Sequence, residues 1–324
     1  MSLRRSRDVP ALVSAAREGD PRAVARLITL VENGDDLLPE VAAALARHTG
    51  RAQVVGLTGS PGVGKSTTTN ALVTALRQRG HRVGVLAVDP SSPFTGGAIL
   101  GDRVRMQEHA TDPGVYIRSM SSRGHLGGLA AATPQAVRVL EGAGGDVVLV
   151  ETVGVGQAEV EVASLADTTL VLLAPGMGDA IQAVKAGILE IADVFVVNKA
   201  DRDGADATYR DIQGMIGLGE RRPGEWRPQV VKAVASRGEG IDDVVAAIDK
   251  HRGWLVEHGE LRRRRAARAA AEVEAIAVGV LREKMGSVRS GTTLEELAAA
   301  VAAGELDPYA AADRLLATTG LDAG

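Results

Sequence analysis

Six short runs rich in branched aliphatic residues constrain this chain most: Val54–Thr58, Val83–Val88, Val147–Val150, Thr169–Leu173, Val194–Val197 and Val230–Val234. Most are followed by a segment long enough for a helix. Strands that are apolar throughout and return through helices form parallel sheets covered on both faces. The expected architecture is α/β, a mostly parallel, doubly wound sheet over residues 51–252. With only 2% aromatic residues, its core has to be filled by Val, Leu, Ile and Ala.

The flanking regions read differently. In the N-terminal extension, residues 1–50, Asp20-Pro21 caps and opens a helix in which Val24, Leu27, Ile28 and Val31 share a face, and Asn33-Gly34 ends it. From residue 253 to 324 the pattern is purely helical, with Val273, Ile276, Val280 and Leu281 in one stripe. Thr292-x-x-Glu295 is a capping box and Asp307-Pro308 opens a further helix. Helices so poor in large apolar residues are expected to pack on the sheet domain or on a second copy of themselves. The Arg262–Arg265 run spreads around a helix circumference among nearby glutamates and reads as a solvated face.

Composition removes several classes of function. A net charge of −4 offers no global field for a polyanion, which argues against nucleic-acid binding. Zero cysteines exclude disulfides, thiolate metal sites and cysteine nucleophiles. No apolar run approaches a membrane span, and the Met-Ser-Leu-Arg-Arg start lacks the apolar stretch of a signal peptide, so a cytoplasmic protein is expected.

Gly59-Ser60-Pro61-Gly62-Val63-Gly64-Lys65-Ser66, followed by Thr67, fits G-x-x-x-x-G-K-[ST] between a predicted strand and a predicted helix over 67–79. Such a loop curls its amides around phosphate oxygens, the following helix adds the positive end of its dipole, and Lys65 supplies a point charge. The Ser66 hydroxyl suits Mg²⁺, which takes oxygen ligands. Asp89 and Glu151 end strands at the edge where such sheets bind ligands, and Asp102 lies in the Gly-rich loop between them. Each is a candidate metal or metal-water ligand; a helix cap or solvated turn is the alternative.

Asn198-Lys199-Ala200-Asp201 fits N-K-x-D directly after a strand. A carboxylate accepts hydrogen bonds from guanine N1–H and its exocyclic amine, whereas adenine presents an acceptor there, so GTP and GDP are the expected ligands. Ala235 and Ser236, after the final strand, stand where a backbone amide would meet guanine O6, although a plain strand-end turn accounts for them as well.

These strings, together with Val88-Asp89-Pro90-Ser91-Ser92-Pro93 and Glu151-Thr152-Val153-Gly154-Val155-Gly156-Gln157, resemble the MeaB/ArgK family of GTPases, bacterial relatives of the human methylmalonic aciduria type A protein. The likeness covers almost the whole chain. It implies a P-loop NTPase with a C-terminal dimerisation arm, a homodimer acting as G-protein chaperone of adenosylcobalamin-dependent methylmalonyl-CoA mutase, which gates cofactor loading and protects or rescues the mutase at the expense of GTP. It maps the magnesium environment onto Ser66, Asp89, Asp102 and Glu151, and the base-reading motif onto Asn198, Lys199 and Asp201. A mobile segment facing the mutase would correspond to residues 176–188, with Gln182 and Lys185.

For hydrolysis, Lys65 and Glu151 are the expected catalytic pair. Gln157 could orient water, and Arg103, Arg105, Arg118 or Arg123 could reach the γ-phosphate. Two rival functions use similar folds. Nickel insertion needs Cys/His clusters, and the chain has no Cys and six scattered His. A transport-associated protein kinase of the ArgK type would transfer phosphate to a protein instead of water.

Overall fold

A computed structural model describes residues 7–89, 107–109, 111–121, 132–152, 158–176, 189–219, 224–289 and 292–318. Strands β1 (Gln53–Thr58), β2 (Val83–Asp89), β3 (Val115–Ser121), β4 (Val147–Thr152), β5 (Thr168–Leu173), β6 (Val194–Val197) and β7 (Gln229–Lys232) form one sheet in the order β3-β2-β4-β1-β5-β6-β7. Every pairing is parallel. The expected α/β architecture is therefore present. β3 escaped the sequence reading because Arg118, Ser119 and Ser121 interrupt its apolar run, as an edge strand permits. The last strand stops at Lys232, and Val234 instead bridges antiparallel to Glu239.

Alternation along the strands sends two sets of side chains to opposite faces. Val54, Leu86, Val88, Val148 and Val150 pack with helices α1 (Val9–Arg17), α2 (Pro21–Asn33), α3 (Leu38–Leu45) and α5 (Thr133–Gly142). Val55, Leu57, Val85, Leu149, Leu170 and Val196 pack with α4 (Lys65–Gln78) and α8 (Ile241–Glu257). Beyond β5, Val171, Leu173, Phe195 and Val197 meet α7 (Ala205–Leu218), while α6 (Ala158–Leu165) covers β1 and β4. Gly56 is needed where α6 crosses, since an added Cβ would come within 2.7 Å of Val162.

The compact units are Met1–Arg264 and Arg265–Gly324. The first includes the N-terminal helices, because Leu12, Leu27, Ile28 and Leu45 bury into the same core as the sheet. Asp20 caps α2 through the Arg22 amide at 2.8 Å, and Gly34 ends it with φ 61°. The second unit contains most of α9 (Glu260–Arg289) with α10 (Thr292–Ala302) and α11 (Pro308–Thr318). Asp307 caps α11 through the Tyr309 and Ala310 amides. Along α9 the stripe Val273, Ile276, Val280 and Leu281 is exposed.

At the amino ends of the strands lies a closed polar cluster. Asp167 accepts the Val54 amide at 3.0 Å and Asp193 accepts the Thr169 amide at 2.8 Å, so two carboxylates cap the starts of β1 and β5. Arg264 grips both oxygens of Asp193, at 3.0 and 3.1 Å, and also donates to the Asp167 carbonyl. The expectation of a wholly solvated arginine run is thereby corrected. Arg263 does face solvent and pairs with Glu260, but Arg264 turns inward to a buried carboxylate that needs a partner.

His251 is fully buried and shares a hydrogen bond with Thr168 Oγ1 at 2.9 Å. Its Nε2 lies 3.2 Å from Asp193 without hydrogen-bond alignment. Burial holds its pKa down to about 4, against the attraction of Asp193, so the ring is neutral at pH 7. Both tryptophans of the chain cover this cluster, Trp226 with its ring 4.7 Å from His251 and its Nε1 donating to the Asp193 carbonyl.

Candidate nucleotide site

At the opposite, carboxyl end of the sheet, β1 runs out of the core at Thr58 and the chain turns through Gly59–Gly64 into α4. Gly59 has φ 138°, and a Cβ there would lie 2.3 Å from the Leu172 carbonyl oxygen, so no other residue fits without moving β5. Gly64 precedes α4 at φ 96° and provides no side-chain cap. Such a helix start leaves its first amides for an anion. Lys65 Nζ lies within the loop, donating to the carbonyls of Gly59 and Ser60 at 2.8 and 3.1 Å. A predominantly backbone cradle with one buried ammonium suits a polyphosphate.

Beside the cradle, Glu151 at the end of β4 is buried, and Ser66 donates to its Oε1 at 2.6 Å. Thr69, one helical turn on, lies 2.8 Å from Oε2. Thr69 was missed by sequence reasoning, and its i+3 spacing from Ser66 on α4 is the signal that could have found it. Asp89 is the last residue of β2, in register with Ser121 of β3. Among the described residues no group of three or more His, Asp or Glu could hold a metal alone. A magnesium ion is held through one or two carboxylates plus substrate phosphates. A serine hydroxyl that donates to a carboxylate turns its oxygen toward such a cation, and hydroxyl and carboxylate oxygens are the donors that the ion takes, so the residues present fit it.

The second predicted element lies 135 residues further along the chain and closes on the first. Asn198 is buried; its Nδ2 donates to the Val63 carbonyl at 2.8 Å and its Oδ1 accepts the Ala235 amide at 3.1 Å. One side chain thus joins the cradle, the end of β6 and the turn after β7. Gly64 has to be glycine for this reason too, since its Cβ would meet Asn198 Nδ2 at 2.4 Å. Lys199 adopts φ 56°, unusual for a non-glycine residue, and Nζ donates to the Gly62 carbonyl at 2.6 Å. Asp201 is exposed and pairs with Arg237 at 3.3 Å, a partner the sequence did not reveal.

The Ala235–Arg237 turn is a 3₁₀ turn, with the Ala235 amide engaged by Asn198. Of the remaining candidates, Ser60 is half-buried, Pro61 and Thr67 are exposed, and Gly62 and Val63 contribute the carbonyls already named. Arg118 does not turn to the cradle. It reaches α2, pairing with Glu32 and donating to Thr29. Asp102, Gln157, Arg103, Arg105, Arg123, Gln182 and Lys185 lie outside the described residues.

The profile described as "Methylmalonyl Co-A mutase-associated GTPase MeaB" matches residues 24–289. The chain belongs to the MeaB family of GTPases. It is 48% identical to a protein of Pyrococcus abyssi assigned as a GTPase, over 94% of this chain and 95% of that one. It is 37% identical to the methylmalonic aciduria type A homolog, mitochondrial, of Mus musculus, over 82% of this chain and 68% of the mouse protein. Among solved structures, a LAO/AO transport system kinase superposes with a TM-score of 0.71 at 27% identity, covering 96% of this chain and 97% of that one. As a MeaB-family member the chain is a P-loop GTPase that binds and hydrolyses GTP.

Proposed function

We propose that this GTPase is a switch assisting adenosylcobalamin-dependent methylmalonyl-CoA mutase in cofactor loading, protection and reactivation. The observation that carries this reading is the family match over residues 24–289, joined to the likeness to the mouse protein. In the proposed site the loop Gly59–Ser66 and Thr67 hold the phosphates with the backbone amides they carry, Pro61 having none, together with the Lys65 ammonium. Asn198 braces the cradle, the Lys199 stem lies along the purine, Asp201 reads the guanine edge and the Ser236 amide, next after that of Ala235, meets O6. Ser66 and Glu151, with Asp89 and Asp102, would hold Mg²⁺, which when bound neutralises charge on the phosphates.

Hydrolysis then rests on positioning and charge compensation by the chain's own groups. Lys65 follows the charge on the transferred phosphoryl oxygens, and buried Glu151 keeps Ser66 oriented. Intrinsic turnover is slow, and a partner accelerates it by ordering the loops around the site. The helices of residues 253–324 serve as a homodimerisation arm, their exposed apolar stripe supporting that role. The protein works in the cytoplasm; no helix among the described residues is long and apolar enough to cross a membrane.

The test is capture from cell extract with the protein loaded with a non-hydrolysable GTP analogue. Recovery of a cobalamin-dependent mutase, and faster phosphate release on adding it, support the proposal. Unchanged turnover with purified mutase contradicts it. The likeness to the LAO/AO transport system kinase motivates a second reading. Radiolabelled GTP distinguishes the two, since label on a protein favours a kinase and free phosphate a switch.

A further inference from the structure

The buried triad Ser66, Thr69 and Glu151 holds an element that the nucleotide motifs do not name. Thr69 is fully buried, and its hydroxyl has two acceptors within reach, Glu151 Oε2 at 2.8 Å and the Lys65 carbonyl at 3.1 Å. A hydroxyl has one proton. Threonines elsewhere on α4 make the common back-bond to the carbonyl four residues earlier, Thr68 to Gly64 and Thr74 to Asn70. If Thr69 did the same, its lone pairs would face a carboxylate oxygen at 2.8 Å in a site that excludes water, which is repulsive. Donation to Glu151 is charge-assisted and shorter, and the Lys65 carbonyl remains available to the helix ladder.

Both oxygens of Glu151 are therefore gripped from one face of α4, Oε1 by Ser66 and Oε2 by Thr69. A glutamate carboxylate turns easily about its last torsion, and the second grip opposes that rotation. We propose that Thr69 is a positioning residue for the cation end of the site. It fixes Oε2 so that Oε1 stays joined to the Ser66 hydroxyl and the hydroxyl keeps its orientation toward Mg²⁺. This rests on the reading of Ser66 and Glu151 as the magnesium end of the nucleotide site.

The experiment measures release of a fluorescent GDP from the full chain as free Mg²⁺ is varied. Thr69→Val, equal in shape but lacking the hydroxyl, should raise the Mg²⁺ concentration for half-maximal slowing by about tenfold, while release in EDTA changes by less than about twofold. Thr69→Ser should restore the midpoint, and in a Glu151→Gln background Thr69→Val should add nothing further. A midpoint unmoved by Thr69→Val, or a change in EDTA as large as that in Mg²⁺, overturns the proposal. Should the valine variant not fold, Thr69→Ala is read in the same assay against the same limits. If the unmutated protein releases GDP at a rate indifferent to Mg²⁺, the reading of the site itself fails, a result distinct from failure of Thr69.

Discussion

The two ends of the sheet solve opposite problems with similar residues. At the carboxyl end an ammonium, a carboxylate and several hydroxyls are held mainly by loop carbonyls and by each other, around a helix start with no side-chain cap. At the amino end Asp167 and Asp193 accept strand amides, Arg264 neutralises Asp193, His251 bonds to Thr168, and Trp226 covers the cluster. One arrangement leaves polar capacity for an incoming anion; the other consumes it within the chain. The comparison teaches that buried charge in one fold can serve a ligand at one pole and the fold itself at the other.

Variants that separate the poles test this. Lys65→Ala removes the charge that follows the phosphoryl group and should cost about 10³-fold in GTP turnover, with a smaller shift of the denaturation midpoint than Arg264→Ala gives. Phosphate-release assays and urea melts on one preparation check both halves. Arg264→Ala does the reverse. It leaves Asp193 buried without its guanidinium and should cost about 3 kcal/mol of stability, with GDP affinity unchanged by calorimetry. Loss of nucleotide binding in a folded Arg264 variant would break the separation.

Asp201→Asn exchanges an acceptor for a donor at the guanine edge. GDP affinity should fall about 10²-fold with a gain for xanthosine diphosphate, read by competition with a fluorescent nucleotide. The smallest effect concerns acid. His251 has its folded pKa lowered from 6.5 to about 4, so the unfolded chain binds more protons between those values. Stability is then full above pH 6.5 and is lost as pH falls toward 4, by about 2 kcal/mol at pH 5. Urea midpoints across this range should show the slope, and His251→Gln should flatten it.

What could be read from sequence divides along the same line. The cradle is contiguous, Gly59–Ser66, and the base motif sits within four residues, because a backbone anion site needs glycines at fixed offsets and a single helix start. Five of the six expected strands matched closely since each is apolar on both faces. The sixth, expected to run to Val234, ends at Lys232, and β3 was not expected at all, since an edge strand tolerates the polar residues that hide its period. The amino-end cluster draws on Asp167, Asp193, Trp226, His251 and Arg264, which share no spacing and meet only when β5, β6, α8 and α9 assemble. The same holds for Arg237 beside Asp201, supplied by the turn after β7. Local chemistry was visible in the sequence, whereas neutralisation across elements became visible only in the fold.

The central claim is that the cradle at Gly59–Ser66 and the motif at Asn198–Asp201 bind one guanine nucleotide. Calorimetric titration of the full chain with GDP and ADP in the presence of Mg²⁺ tests it most directly. One site per chain is expected for GDP, with at least about 10²-fold weaker binding of ADP. Equal affinities, or no heat with GDP, would contradict it.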